Sequence, residues 1–135
     1  MAQSMFDTTA IPITEMAVVF TQTRHQLLAS NLANFDTPGY KTRDLSPTRF
    51  QQHLREAIHE RDVSGKPISL ASLRERQATR DGNTSMLTFL HHDETDVIVE
   101  ESVAEMAKNQ MLHNTALTIM NNQFRLLQTA ISERV

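Results

Sequence analysis

The strongest constraint in this sequence is a hydrophobic repeat near its C-terminal end. Positions spaced alternately by four and three residues carry Val99, Val103, Met106, Gln110, His113, Leu117, Met120, Phe124, Leu127 and Ile131. Eight of these ten are apolar, and only a helix gathers such a spacing onto one line. Sustained over several heptads, the line predicts a seam against another helix. Glu100 and Glu101 in the first turns and Arg134 near the end suit the two ends of a helix dipole. At 1.5 Å per residue, such a helix is about 50 Å long.

A second apolar line accompanies the first. Leu112, Ile119 and Leu126 repeat at seven residues, and Ala116 and Ala130 fall between that line and the seam. Together they make an apolar sector covering nearly half the helix. A two-stranded pairing needs only the narrow seam, so the breadth predicts burial against more than one neighbour. Two readings follow: a middle helix of the same chain covers the sector, or other subunits do.

A partner helix is legible near the N-terminus, over residues 14–34. Pro12 and Thr14 open it, with Thr14 the expected N-cap and Glu15 in the first turn. Ile13, Ala17, Phe20, Leu27 and Asn34 follow a four-three spacing, with Arg24 and Asn31 at intervening positions and Leu28 and Leu32 widening the stripe. Asn34 is the expected C-cap in a left-handed conformation. Thr37-Pro38-Gly39-Tyr40 follows as a type II turn with Gly39 at positive φ. A shorter helix opens at Ser46-Pro47, presents Phe50, Leu54, Ala57 and Ile58 on one face, and ends at Gly65-Lys66-Pro67. From Ser64 to Thr95 there is no sustained period. Met86–Leu90 reads as a short strand or a docking patch within loop, or within chain that does not order alone.

The expected fold is all-α. Long N- and C-terminal helices pair as an antiparallel coiled-coil-like hairpin, joined through a short middle helix and a long irregular loop. The corresponding segments are residues 1–44, 45–95 and 96–135.

Bulk composition narrows the function. The chain has 135 residues, 39% of them hydrophobic, so a self-sufficient core is thin. Its 13 basic and 16 acidic residues are interspersed, without the clustered basic face that nucleic-acid binding needs. There is no cysteine, which excludes disulfides and thiolate chemistry. Residues 1–10 lack the basic and apolar regions of a cleaved secretory signal, and no apolar run approaches the roughly 20 residues of a membrane span.

Asn31-Leu32-Ala33-Asn34-Phe35-Asp36-Thr37-Pro38-Gly39-Tyr40-Lys41 closely resembles the signature that closes the N-terminal helix of flagellar rod and hook axial proteins. Glu105–Gln110 and Asn122–Ile131 resemble the C-terminal end of a proximal-rod member of that family. The resemblance covers roughly residues 14–44 and 96–132. Family members often carry an Asp-Gly-Asn-type element just before the C-terminal helix, whereas Asp81-Gly82-Asn83 lies further upstream here. The resemblance implies a non-enzymatic structural subunit of the proximal rod, exported by the flagellar type III system without a cleaved signal. It also implies a periplasmic-side location in the basal body. The implied partners are further copies of the chain, FliE and FlgC-like rod proteins, with the export apparatus and membrane ring nearby. No cofactor is implied.

Against that stand blander readings. The competing function is a soluble helical adaptor, or chaperone-like module, gripping one partner helix through the C-terminal sector. Asn31 either fixes register between helices or faces solvent. Tyr40 is read as a packing anchor. His91-His92-Asp93-Glu94 lacks a second cluster to complete a metal site. His113, on the seam, is read as a neutral core residue or an inter-helix hydrogen-bonding group, and the seven methionines as core filling. No nucleophile, base and orienting group can be assembled from the sequence. The residues expected to carry assembly are Asn31, Leu32, Asn34, Thr37, Pro38, Gly39 and Tyr40 at the turn. On the C-terminal helix they are Val103, Met106, Leu112, Leu117, Ile119, Met120, Phe124, Leu126, Leu127 and Ile131.

Overall fold

The computed structural model describes residues 10–40, 42–65, 68 and 99–133. Among them the regular elements are three helices: α1 (Ile11–Ala33), α2 (Pro47–Ser64) and α3 (Val99–Ser132). The expected loop and the Met86–Leu90, Asp81–Asn83 and His91–Glu94 features lie outside the described residues.

Helix α1 starts three residues before the position expected from Thr14. Its N-cap is Ala10, which makes no side-chain capping bond. The reason is Pro12, whose missing N–H and fixed φ are compatible with the first turn. Thr14 therefore lies inside the helix. Its N–H reaches Ala10 O at 3.0 Å, and its hydroxyl folds back on Ala10 O and Ile11 O at 3.1 and 2.9 Å. Glu15 falls outside the first turn, which holds no acidic residue. At the other end Asn34 is the C-cap, but at φ −107° and not in the left-handed region. Its side-chain amide donates to Ser30 O at 2.8 Å and ties off the last turn without that conformation.

Helix α2 follows its sequence signals closely. Ser46 Oγ accepts from the Arg49 N–H at 3.4 Å, Pro47 opens the helix, and Gly65 at φ +64° caps its end. Its apolar face lies on α1. The Phe20 and Phe50 rings stack with centroids 4.1 Å apart, and Met16, Ala57 and Ile68 form a buried cluster joined by Ile13, Leu54 and Ile58. The middle helix thus covers α1. It does not bury the broad apolar sector of α3, where Leu112, Ile119 and Leu126 remain exposed.

Helices α1 and α3 pair antiparallel. Arg24 meets Glu105 and, one turn earlier on α1, Thr21 meets Asn109 and His113. The face that α3 turns to α1 is Ser102, Asn109 and Ala116, all buried, alternating with half-buried Met106, His113 and Met120. This seam shares Met106, His113 and Met120 with the apolar spacing and replaces Val103, Gln110 and Leu117 by the residue before each. Val103 and Leu117 are consequently exposed, and so are Phe124 and Ile131, which lie beyond the start of α1. The shift has a physical basis, because α1 buries Thr14, Thr21, Arg24 and Asn31 beside Leu28. Small and polar residues suit that surface and permit close approach, whereas large apolar ones do not.

The register leaves α3 longer than its partner. Thr21 pairs with Asn109, so Ile11, ten residues before Thr21, falls level with Ile119, ten residues after Asn109. Residues beyond Ile119 run past the start of α1. Among the described residues, no helix is long and apolar enough to cross a membrane.

Candidate functional site

Three features define the candidate site: the turn after α1, a charged node beneath it, and the open apolar flanks of α3. The turn is closed by the Tyr40 N–H on Thr37 O at 3.1 Å, with Gly39 at φ +76°. That angle is what the third residue of a type II turn requires. Pro38 and Gly39 are exposed at its tip, and Phe35 beside it is also exposed.

The chain returning from the turn is held by Asn31. Its Nδ2 donates to Arg43 O at 2.6 Å, and its Oδ1 accepts from the Arg43 N–H at 3.1 Å. One side-chain amide thus satisfies both backbone groups of one residue, as a neighbouring strand would. Tyr40 Oη donates to the same Oδ1 at 3.2 Å and lies 3.1 Å from Ser30 Oγ. Tyr40 is the anchor expected of it. Asn31 is 7% exposed and does neither of the things its position suggested, since it grips the return segment and not another helix. Leu32 and Asn34 are half-buried on the helix end, and Thr37 is exposed in the turn.

Asn31 and the turn deliver Asp44 to Arg24. Arg24 is 3% exposed, and its Nε and Nη2 donate to Asp44 Oδ1 and Oδ2 at 2.9 and 2.8 Å. The second hydrogen of Nη2 reaches Glu105 Oε2 on α3 at 2.9 Å. Lys108 Nζ, one turn along α3, is 2.7 Å from Glu105 Oε1. Two cations and two carboxylates balance, so a buried guanidinium is neutralised by groups from two segments. The hydrogen bonds that Arg24 donates to Asp44 chiefly, with that to Glu105 adding to them, raise the Arg24 pKa above its ordinary value despite the opposing effect of burial. Lys108 first and Arg24 second hold the Glu105 carboxyl below its usual range.

Sequence reasoning missed this node. The signal available was Arg24 itself, a charged residue on an apolar stripe seven residues before Asn31. It also missed Asn109, 1% exposed, whose Nδ2 donates to Thr21 O at 2.7 Å while its Oδ1 has no hydrogen-bond partner among the described residues. His113 makes the inter-helix hydrogen bond, with Nδ1 2.8 Å from Thr21 Oγ1.

The two flanks of the strip that α3 turns to α1 hold the large apolar residues that the hairpin leaves bare, one line through Val103 and Leu117 and the other through Leu112 and Ile119. Val103, Leu112, Leu117, Ile119 and Phe124 are all more than a third exposed, and Leu126 and Ile131 reach 64% and 62%. Met106 and Met120 sit half-buried on the side toward α1, and Leu127 is half-buried further along α3. The named C-terminal residues therefore divide into a shielded set and an open set.

The sequence that forms α1, this turn and α3 has counterparts among known proteins. A model of the flagella basal body rod protein family matches residues 21–41, the end of α1 and the turn. Over nearly the whole chain, the flagellar basal body rod protein FlgB of Aeromonas hydrophila is 32% identical across 129 residues, covering 90% of this chain and 92% of that protein. The chain belongs to the FlgB family. FlgB of Cereibacter sphaeroides is 31% identical over 122 residues, covering 85% and 88% of the two chains. FlgB of Aquifex aeolicus is 27% identical over 119 residues, covering 85% and 86%. No solved structure matches the chain. The FlgB family places it among the structural components of the flagellar basal body rod, and with them in motility.

Proposed function

We propose that this chain is a non-enzymatic subunit of the proximal rod that polymerises through its terminal helices and helps form the drive shaft and export channel. The observation that carries the reading is the open apolar surface on α3. After α1 and α2 have packed, large residues remain exposed on both flanks of the paired strip, Val103, Leu117, Phe124 and Ile131 on one and Leu112, Ile119 and Leu126 on the other. Exposed apolar surface of this extent marks interaction faces. The turn residues Asn31 to Tyr40 fix where the chain leaves α1 and so where the middle segment sits relative to those faces. Further copies of the chain, FliE and FlgC-like proteins are the partners this reading assigns, with the export apparatus and membrane ring nearby. Delivery is by the flagellar type III route, to the periplasmic side.

The test is Ile119→Asp combined with Leu126→Asp, in cells lacking their own copy of the protein. The expected result is loss of rod assembly and swimming, while the purified variant keeps its α1–α3 contacts by NMR. Loss of those contacts together with assembly would make that flank intramolecular core and sink the reading.

A further inference from the structure

We propose that Arg24 is a positioning residue that couples two dockings: that of the return segment, residues 42–45, and that of α3 on α1. Both attachments end on one guanidinium. Asp44 takes Nε and one hydrogen of Nη2, and Glu105 takes the other hydrogen of Nη2, at distances of 2.8–2.9 Å. A long side chain loses its rotamer freedom when it is fixed. Whichever carboxylate docks first bears that loss, and the second finds the fork already in place. Ordering of either segment therefore favours ordering of the other.

Repulsion between the two carboxylates opposes this coupling. Lys108 counters it, because its ammonium sits 2.7 Å from the far oxygen of Glu105 and makes the four charges neutral. The geometry also excludes lysine at position 24. An ammonium is a point charge, and it cannot hold one carboxylate by two parallel bonds while reaching another. The consequence is that Asn31, which delivers the return segment through Arg43, acts at a distance on the pairing of α3. The turn and the hairpin form as one unit.

Amide hydrogen exchange on the full purified chain tests this. Glu105→Gln, a change on α3, is expected to speed exchange of the 43–46 amides across the interface, and Asp44→Asn to speed exchange at 102–109. Loss of a charge-assisted bond predicts effects of roughly tenfold in each case. Arg24→Lys raises both sets. The amides of α2, which touch none of the four charges, serve as the internal reference. The proposal fails if Glu105→Gln leaves 43–46 unchanged relative to α2, or if Arg24→Lys matches the parent chain. It fails equally if residues 102–109 exchange like unstructured chain before any substitution is made.

Discussion

Asn31 holds Arg43 by both of its backbone groups, accepting from the N–H at 3.1 Å and donating to the C=O at 2.6 Å. The pair converts the signature turn from a flexible corner into a fixed exit. An amide is required for this, because the two partners demand one donor and one acceptor on the same planar group.

Asn31→Asp removes the donor and sets a carboxylate against Arg43 O. The expected cost is about 1–3 kcal/mol, the penalty for a buried group left without its partner. Thermal unfolding followed by circular dichroism measures it. A change below about 0.5 kcal/mol, the range of ordinary surface substitutions, would show that the clamp contributes nothing.

Acid weakens the charged node with a definite sign. The Glu105 carboxyl titrates below its ordinary value of 4.5 in the folded chain, so its stabilising contribution is complete above that pH and is lost as pH falls through the depressed folded value. Arg24 is shifted upward from its ordinary value and stays charged throughout. Thermal midpoints between pH 7 and pH 3 should therefore fall more steeply for the parent chain than for Glu105→Gln. Parallel curves would rule the carboxylate out as a contributor.

The one-residue shift of the seam makes Ala116 and Leu117 behave oppositely. Ala116→Leu forces bulk between α1 and α3 and should destabilise the hairpin by about 1–3 kcal/mol. Leu117→Ala removes a side chain that the hairpin leaves open and should cost it under about 1 kcal/mol, while weakening assembly. Denaturant midpoints of the two variants decide the matter. If Leu117→Ala proves the more damaging to the isolated chain, the seam runs where the apolar spacing alone would put it.

Gly39 adopts φ +76°, and a Cβ there would meet nothing within 4 Å. Gly39→Ala should consequently cost about 1 kcal/mol through backbone strain alone, without a clash. A midpoint shift of a few degrees checks it, and Gly39→Asn should recover part of the loss, since asparagine tolerates that conformation.

Much of this architecture is written in local signals. Ser46, Pro47 and Gly65 bound α2 as cap, first turn and stop, because each acts on its own backbone neighbours. The turn at Thr37–Tyr40 is legible for the same reason. Which face of α3 meets α1 is not local, because the apolar spacing records every partner the helix will meet. It identifies a sector that needs covering without saying which part the same chain covers. Ser102 and Asn109 escaped notice because small and polar residues raise no apolar signal, and Ala116 was legible as part of the broad sector but not as part of the seam. Arg24 needed Asp44 and Glu105 brought to it from 20 and 81 residues away, a proximity that no spacing rule contains.

The seam between α1 and α3 has a further consequence for the free subunit. Threonines, an asparagine, a histidine and an arginine line much of it, so water can wet most of both halves when the helices part. An opened hairpin is then little greasier than a closed one. Among the described residues, the bare apolar surface is concentrated on the two flanks of α3 from Val103 to Ile131, and a companion that shields both would cover it in either state.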